Sequence, residues 1–359
     1  MEIAVLGGGH GCYAAAADLS EQGHSIRLWR RDAAALKPVL DSSTIYLKDD
    51  HGESAVIIDQ VTTDIGEAVK GAQLILIPSP ATAQLDIARA LAPHLQDGQV
   101  VYLPPGTFGS YIMSEAVRQL GCTANVSWAE TGTLPWLARK HGPNTVAITM
   151  RATRLPTGVY PARNADHAMQ VIGQAFPCIE PCEDALSGAL MNAGPIIHPP
   201  LIMMNAAPLQ HFPEWDIHNE GTQPAVRAVT TKLDNERIAI REAIGYQAPH
   251  FPLSDHYEND QWMYGDSHKK LVDSGDWREH IDLHTHRYMI EDTVMGLALL
   301  ASVADWVGCD APVAKGLLAI AGGILGQDLR QGERTLGALG LDKLSVEEMR
   351  QMLLQGKSA

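Results

Sequence analysis

The chain has no surplus of positive charge. Its formal net charge is −15 over 359 residues, which excludes a general affinity for nucleic acid or for an anionic membrane. Any anionic substrate must therefore be met by individually placed arginines. A cysteine framework is missing as well. Cys12, Cys122, Cys178, Cys182 and Cys309 are odd in number and scattered, the pattern of free thiols in a reducing compartment. No Cys-x-x-Cys pair occurs, and His211, His218, His284 and His286 have no further ligand at metal spacing. No metal is expected. Long apolar runs are also absent. The longest, Thr293–Ala304, is too short to cross a bilayer and Asp305 follows it. With no signal peptide before the first strand, a cytoplasmic protein is expected.

What is present begins at the N-terminus. Glu2–Leu6 is a short apolar run with β-branched residues, followed by Gly7-Gly8-Gly9-His10-Gly11-Cys12. An Ala-rich helical stretch, Tyr13–Gln22, ends at Gly23, and a second apolar run, Ser25–Trp29, leads to Arg30-Arg31-Asp32. Strand, glycine turn, helix, strand is the opening of a dinucleotide-binding fold. Gly7 suits the tight turn, Gly9 permits close approach of a pyrophosphate, and the helix N-terminus offers N–H groups to phosphate. Cys12 replaces the third glycine of the fingerprint and is small enough for helix–strand packing. At the end of the second strand a carboxylate would select NAD(H), but Arg30 and Arg31 suit a 2′-phosphate. NADP(H) is favoured, and Asp32 keeps NAD(H) open.

Strands and helices then alternate. Ser42–Ser54 reads as loop, Ala55–Ile58 as strand, and Gln73–Ile77 as a buried parallel strand broken by Pro78-Ser79-Pro80. Pro78 and Pro80 are expected beside the cofactor. Gln99–Leu103 and Ala124–Ala129 are further strands, the latter ending at Glu130-Thr131. The expected class is α/β: a Rossmann-type doubly wound sheet over residues 1–180, then a mainly helical domain over 181–359. Gln247–His284 has no clear period and reads as a loop-rich lid or irregular helical region. Ala314–Leu325 and Ser345–Leu354 are apolar enough to bury against a second subunit, so a homodimer stays open.

In the helical half, Asp292 stands at the start of an apolar helix expected over Arg287–Trp306, and His198 sits in the apolar run Gly194–Ile202. A buried carboxylate needs a partner. The two solve each other's problem if Asp292 accepts from one ring nitrogen of His198 and leaves the other to exchange a proton. Arg287, five residues before Asp292, is off its α-helical stripe but would clamp a substrate carboxylate if it reached the same site.

These pieces carry a resemblance. The GGGHG turn, QLILIPSPA, PPGTFG, Glu130-Thr131, the His-Pro of Asn192–Ala206, LDNERIAI and RYMIEDTVMGL make the chain similar to opine dehydrogenases over nearly its whole length. Pro104 stands where that family often has Asn, and His10-Gly11 where it often has Asn-Gly. The resemblance implies a catalytic pair, His198 and Asp292, with Arg287 on the oxo-acid carboxylate. It implies substrate contacts at Glu130 and Thr131, and cofactor contacts at Gly7, Gly9, His10 and Gly11. The implied reaction joins an amino acid to a 2-oxo acid and reduces the imine with NAD(P)H. Two other readings remain: a simple ketoreductase of the glycerol-3-phosphate dehydrogenase or ketopantoate reductase type with Lys232 as acid, and a non-catalytic dinucleotide sensor.

Overall fold

The computed structural model describes residues 1–357. Two compact units emerge. The first is Met1–Ala189 together with residues 352–357, and the second is Leu190–Gln351.

In the first unit the glycine turn links β1 (Glu2–Leu6) to α1 (His10–Glu21), followed by β2 (Ser25–Trp29), α2 (Ala33–Ser42), β3 (Thr44–Asp49), β4 (Gly52–Ile57), β5 (Gln60–Thr62), α3 (Ile65–Val69), β6 (Leu74–Leu76), α4 (Gln84–Leu91), β7 (Val100–Leu103), α5 (Gly109–Gln119), β8 (Ser127–Thr131), β9 (Trp136–Lys140), β10 (Thr145–Arg151), β11 (Leu155–Tyr160), α6 (Ala165–Ala175), β12 (Ile179–Pro181) and α7 (Ala185–Ala189). The main sheet runs β12-β11-β8-β7-β6-β1-β2-β5, parallel except where β11 meets β8. Strand order reverses at β1, between β6 and β2. The glycine turn thus sits at the switch point, where such sheets bind ligands. The boundary expected at residue 180 falls inside this unit, because β12 pairs with β11 and α7 packs on it.

A second sheet, β4-β3-β10-β9, covers the other side of α1. Ala14 to Ala17 are all fully buried: small side chains let this helix pack closely between two sheets. Asp18 on that helix is buried but satisfied by Trp136 Nε1 at 2.8 Å and Arg151 Nε at 2.7 Å. The segment expected as loop, Ser42–Ser54, is instead the β3–β4 hairpin. Its alternation of buried Ile45 and Leu47 with exposed Tyr46 and Lys48 is a strand period.

The second unit contains α8 (Gly194–Met204), α9 (Ala206–His211), α10 (Pro224–Ile244), α11 (Asp255–Glu258), α12 (His268–Ser274), a π-helix (Tyr288–Leu297), α13 (Ala298–Val307), α14 (Pro312–Leu325) and most of α15 (Val346–Gln355). Trp215–Asp216 and Arg278–Glu279 form a two-stranded ribbon. The LDNERIAI stretch lies in α10 and is structural. Arg237 pairs with Asp234 at 2.6 Å and donates to the His250 carbonyl at 2.7 Å, while Glu236 accepts from the N-terminal N–H groups of α14, Val313 at 2.9 Å and Ala314 at 3.0 Å. Among the described residues no helix is long and apolar enough to cross a membrane.

Candidate active site

The first unit builds a dinucleotide site from its loop. Gly7 has φ +130°, and its missing Cβ leaves room for Ser79 Oγ and Cys12 Sγ. A Cβ on Gly9 would meet nothing within 4 Å, so that turn stays open to a ligand. Cys12 is fully buried with Sγ 3.5 Å from the Pro78 carbonyl, and burial pushes its thiol up to about 11. It is a packing residue. Gly11 is also a packing position: a Cβ there would press on Leu134 and Pro78. The Pro78-Ser79-Pro80 turn rests directly on the glycine turn, with Ser79 Oγ donating to the Leu6 carbonyl at 3.1 Å.

The cations around this loop are only partly those expected. Arg30 lies across Gly8, where a Cβ would collide with it, and donates to the Ala35 carbonyl at 3.2 Å. Arg31 is 80 % exposed, 3.6 Å from Asp86. Asp32 caps α2 by accepting from Ala35 N at 3.0 Å. His10 Nδ1 accepts the backbone N–H of Lys140 at 2.8 Å, so the imidazole expected at the cofactor also anchors β9. That anchor brings in a residue absent from the sequence reading. Lys140 Nζ stands 3.4 Å over the Tyr13 ring, and burial, with the Arg30 charge second, lowers its ammonium to about 8. An N-terminal helix end, an open glycine and two nearby cations fit a dinucleotide phosphate.

Glu130 and Thr131 do not have the side-chain environment of substrate ligands. Both are fully buried. Glu130 accepts from Phe108 N at 2.7 Å, from Ser110 N at 3.2 Å and from the Ser110 hydroxyl. Thr131 donates to the Pro156 carbonyl at 2.8 Å. Glu130 thereby clamps the turn after β7, where Thr107 (φ 55°) and Phe108 (φ 62°) hold left-handed conformations. Non-glycine residues persist there only when the surroundings enforce it.

In the second unit His198 and Asp292 meet. His198 Nδ1 and Asp292 Oδ2 are 2.8 Å apart, with the carboxylate buried and the ring 17 % exposed. The His198 ring stacks on Tyr288 with centroids 3.8 Å apart. Each supporting helix interrupts the regular α hydrogen-bond ladder at this point. α8 carries Pro199 and Pro200 immediately after His198, removing two backbone donors. Asp292 sits on a π-helix, where Ala298 N–H reaches back five residues to the Thr293 carbonyl. This changes the expected single helix over Arg287–Trp306. With a five-residue hydrogen-bond period, Arg287 and Asp292 come onto one face, and Arg287 acts electrostatically on the carboxylate. Arg287 Nη2 lies 3.2 Å from Glu291 Oε2 and its side chain is 46 % exposed.

Glycines let the helices close. A Cβ on Gly194 would collide with Asp292 Oδ1, and one on Gly296 with Pro195 Cγ. Burial raises Asp292 to about 6, with Arg287 and then His286 opposing the shift. A buried carboxylate fixing an imidazole beside an accessible guanidinium can exchange a proton and hold an anion. Lys232, the competing acid, is exposed on α10.

The comparisons follow the two units. Residues 181–325 match a family described as NAD/NADP octopine/nopaline dehydrogenase, alpha-helical domain. Residues 2–110 match the NAD-dependent glycerol-3-phosphate dehydrogenase N-terminus. The opine dehydrogenase of Arthrobacter sp. (strain 1C) is 29 % identical over 354 residues, 97 % of each chain. An octopine dehydrogenase solved with NADH and agmatine superposes with a TM-score of 0.71 at 18 % identity, covering 99 % of this chain and 98 % of that one. A yersinopine dehydrogenase with NADP+ bound gives 0.66 at 18 % identity, with the same coverage. These two share the fold.

Proposed function

This chain belongs to the opine dehydrogenase family, NAD(P)-dependent oxidoreductases acting on CH–NH bonds, and from that premise we propose its substrates and the parts its residues play. It condenses an amino-acid amine with a 2-oxo acid such as pyruvate and reduces the imine to a secondary-amine dicarboxylate; the reverse oxidation uses the same groups. The observation that carries the assignment is the 2.8 Å bond between His198 Nδ1 and Asp292 Oδ2.

Asp292 accepts from Nδ1–H, which fixes the tautomer and balances the imidazolium. Nε2 is then the nitrogen that protonates the carbonyl or imine, and takes the proton back in reverse. Arg287 holds the oxo-acid carboxylate through two parallel bonds. When bound, NAD(P)H supplies the hydride. Its phosphates belong at Gly7–Gly9 and the start of α1. NADP(H) is the proposed partner, because Arg30 and Lys140 stand beside the loop while Asp32 is engaged as a helix cap. A homodimer is also proposed, supported by Ile320, 55 % exposed on α14. A monomer mass in sedimentation velocity overturns that point.

The first test is oxidation of NADPH and NADH with pyruvate, oxaloacetate or 2-oxoglutarate, each with and without an amino-acid mixture. Dependence on both an oxo acid and an amine is expected. Oxidation with an oxo acid alone would replace the proposal with a ketoreductase, and cofactor binding without turnover would favour a sensor.

A further inference from the structure

His198 is held by more than its hydrogen bond. Asp292, 2.8 Å away, fixes the Nδ1 edge of the imidazole. That bond sets the tautomer, but it leaves the tilt of the ring to be set by something else. Nε2 lies off the axis of the bond, so a change of tilt displaces it. Proton transfer tolerates little of this, because catalytic groups must sit within about 0.5 Å and 10–20° of their working geometry.

The face of the ring has its own support. Tyr288 stacks on the imidazole with 3.8 Å between centroids and 19° between planes. It stands four residues before Asp292 on the same π-helix, so one helix wall grips both the face and the edge of His198. Tyr288 is itself fixed. It is buried; its carbonyl accepts from the Thr293 hydroxyl at 2.8 Å, and its N–H donates to His286 Nδ1 at 3.3 Å. The His286 ring meets the phenol ring at 4.4 Å and 65°. His218 approaches the imidazole edge-on, at 5.8 Å and 79°. A side chain locked by packing and hydrogen bonds is the kind of support that can define the plane of a catalytic ring.

We propose that Tyr288 is a positioning residue for the proton step: its ring face sets the plane of His198, and so the direction of Nε2, while Asp292 sets the tautomer. The aromatic face carries this role and the hydroxyl does not. The assignment rests on the reading of His198 as the acid.

Steady-state kinetics with NADPH, pyruvate and the amino acid of highest turnover test this in Tyr288→Leu, Tyr288→Phe and His198→Gln. Tyr288→Leu should lower kcat ~10- to 100-fold, the range for misplacing a reacting group by up to about 1 Å. The pyruvate KM, the amino-acid KM and the cofactor Kd should not change. Tyr288→Phe keeps the ring face and should recover most of kcat. Wild-type kcat in Tyr288→Leu overturns the proposal. So does a loss in Tyr288→Phe as large as in Tyr288→Leu, which would assign the role to the hydroxyl. A raised pyruvate or amino-acid KM at unchanged kcat also overturns it, since Tyr288 would then be a substrate contact. His198→Gln separates the two claims. Full turnover there defeats the acid assignment, whereas its loss beside wild-type kcat in Tyr288→Leu defeats the positioning role alone. Should Tyr288→Leu not fold, Tyr288→Met makes the same comparison. Proton NMR of histidine-labelled protein gives a readout without turnover. The His198 ring signal, identified by its absence in His198→Gln, should be shifted upfield by the phenol ring, keep that shift in Tyr288→Phe and lose it in Tyr288→Leu. An unshifted His198 signal in the wild type overturns the stack and the proposal with it.

Discussion

Gly194 is seated against the Asp292 carboxylate, so closely that a single added Cβ would collide with Oδ1. The glycine admits the buried acid that fixes His198. Gly194→Ala should therefore displace Asp292 and cut turnover at least ~10-fold, with overpacking costing ~1–3 kcal/mol of stability. Cofactor affinity should be intact. Turnover at the wild-type level would show that the pair tolerates the shift and is not set by this contact.

Asp292→Asn keeps the shape and removes the charge. Turnover should fall ~10²–10⁴-fold, the range for losing general acid–base function. In the wild type, turnover should decline as pH falls through about 6, where Asp292 takes up a proton, and the variant should lack that limb. Stability moves the other way. Burial lifts this carboxyl from its ordinary 3.8 to about 6, so its ionisation costs the native state above pH 6, up to about 3 kcal/mol. The stabilisation of Asn over Asp should be greatest at pH 7–8 and vanish toward pH 4. Denaturant titrations across that range check the sign.

Arg287→Ala should raise the KM for the oxo acid ~10- to 100-fold, as expected for losing a bidentate charged contact, with little change in cofactor Kd. Lys232→Met should leave kcat unaltered, since Lys232 is exposed on α10. A collapse of kcat in that variant would move the acid from His198 to Lys232.

Lys140→Met should weaken NADPH binding by roughly tenfold. If Lys140 faces the 2′-phosphate, NADH binding will not change, and a loss common to both cofactors would place it at the pyrophosphate. Isothermal titration with each dinucleotide separates the two.

Glu130→Ala should act on folding. Three donors around Phe108 and Ser110 would lose a buried acceptor, at ~1–3 kcal/mol for each group left unsatisfied. A large rise in substrate KM without any loss of stability would restore Glu130 as a ligand.

The sequence by itself determined the opening strand–turn–helix, the two-part division into α/β and helical halves, and the pairing of His198 with Asp292. Each is written in local terms: glycines at fixed spacing, a run of apolar residues, two polar groups stranded in apolar surroundings that need each other. Tertiary structure decided the rest. Ala14–Ala17 read as ordinary helix until a second sheet enclosed them. Lys140 reaches the phosphate loop through His10, 130 residues away in the chain. Glu130 and Thr131, expected as substrate contacts at a strand end, are buried inside the fold. Arg287 fell off the stripe of Asp292 because a 3.6-residue period was assumed, whereas packing of the Tyr288–Leu297 segment against α8 accompanies a π-helix that brings residues five apart onto one face. Local patterns report what a segment must bury; which partner buries it, and with what helical period, depends on side chains far away in sequence.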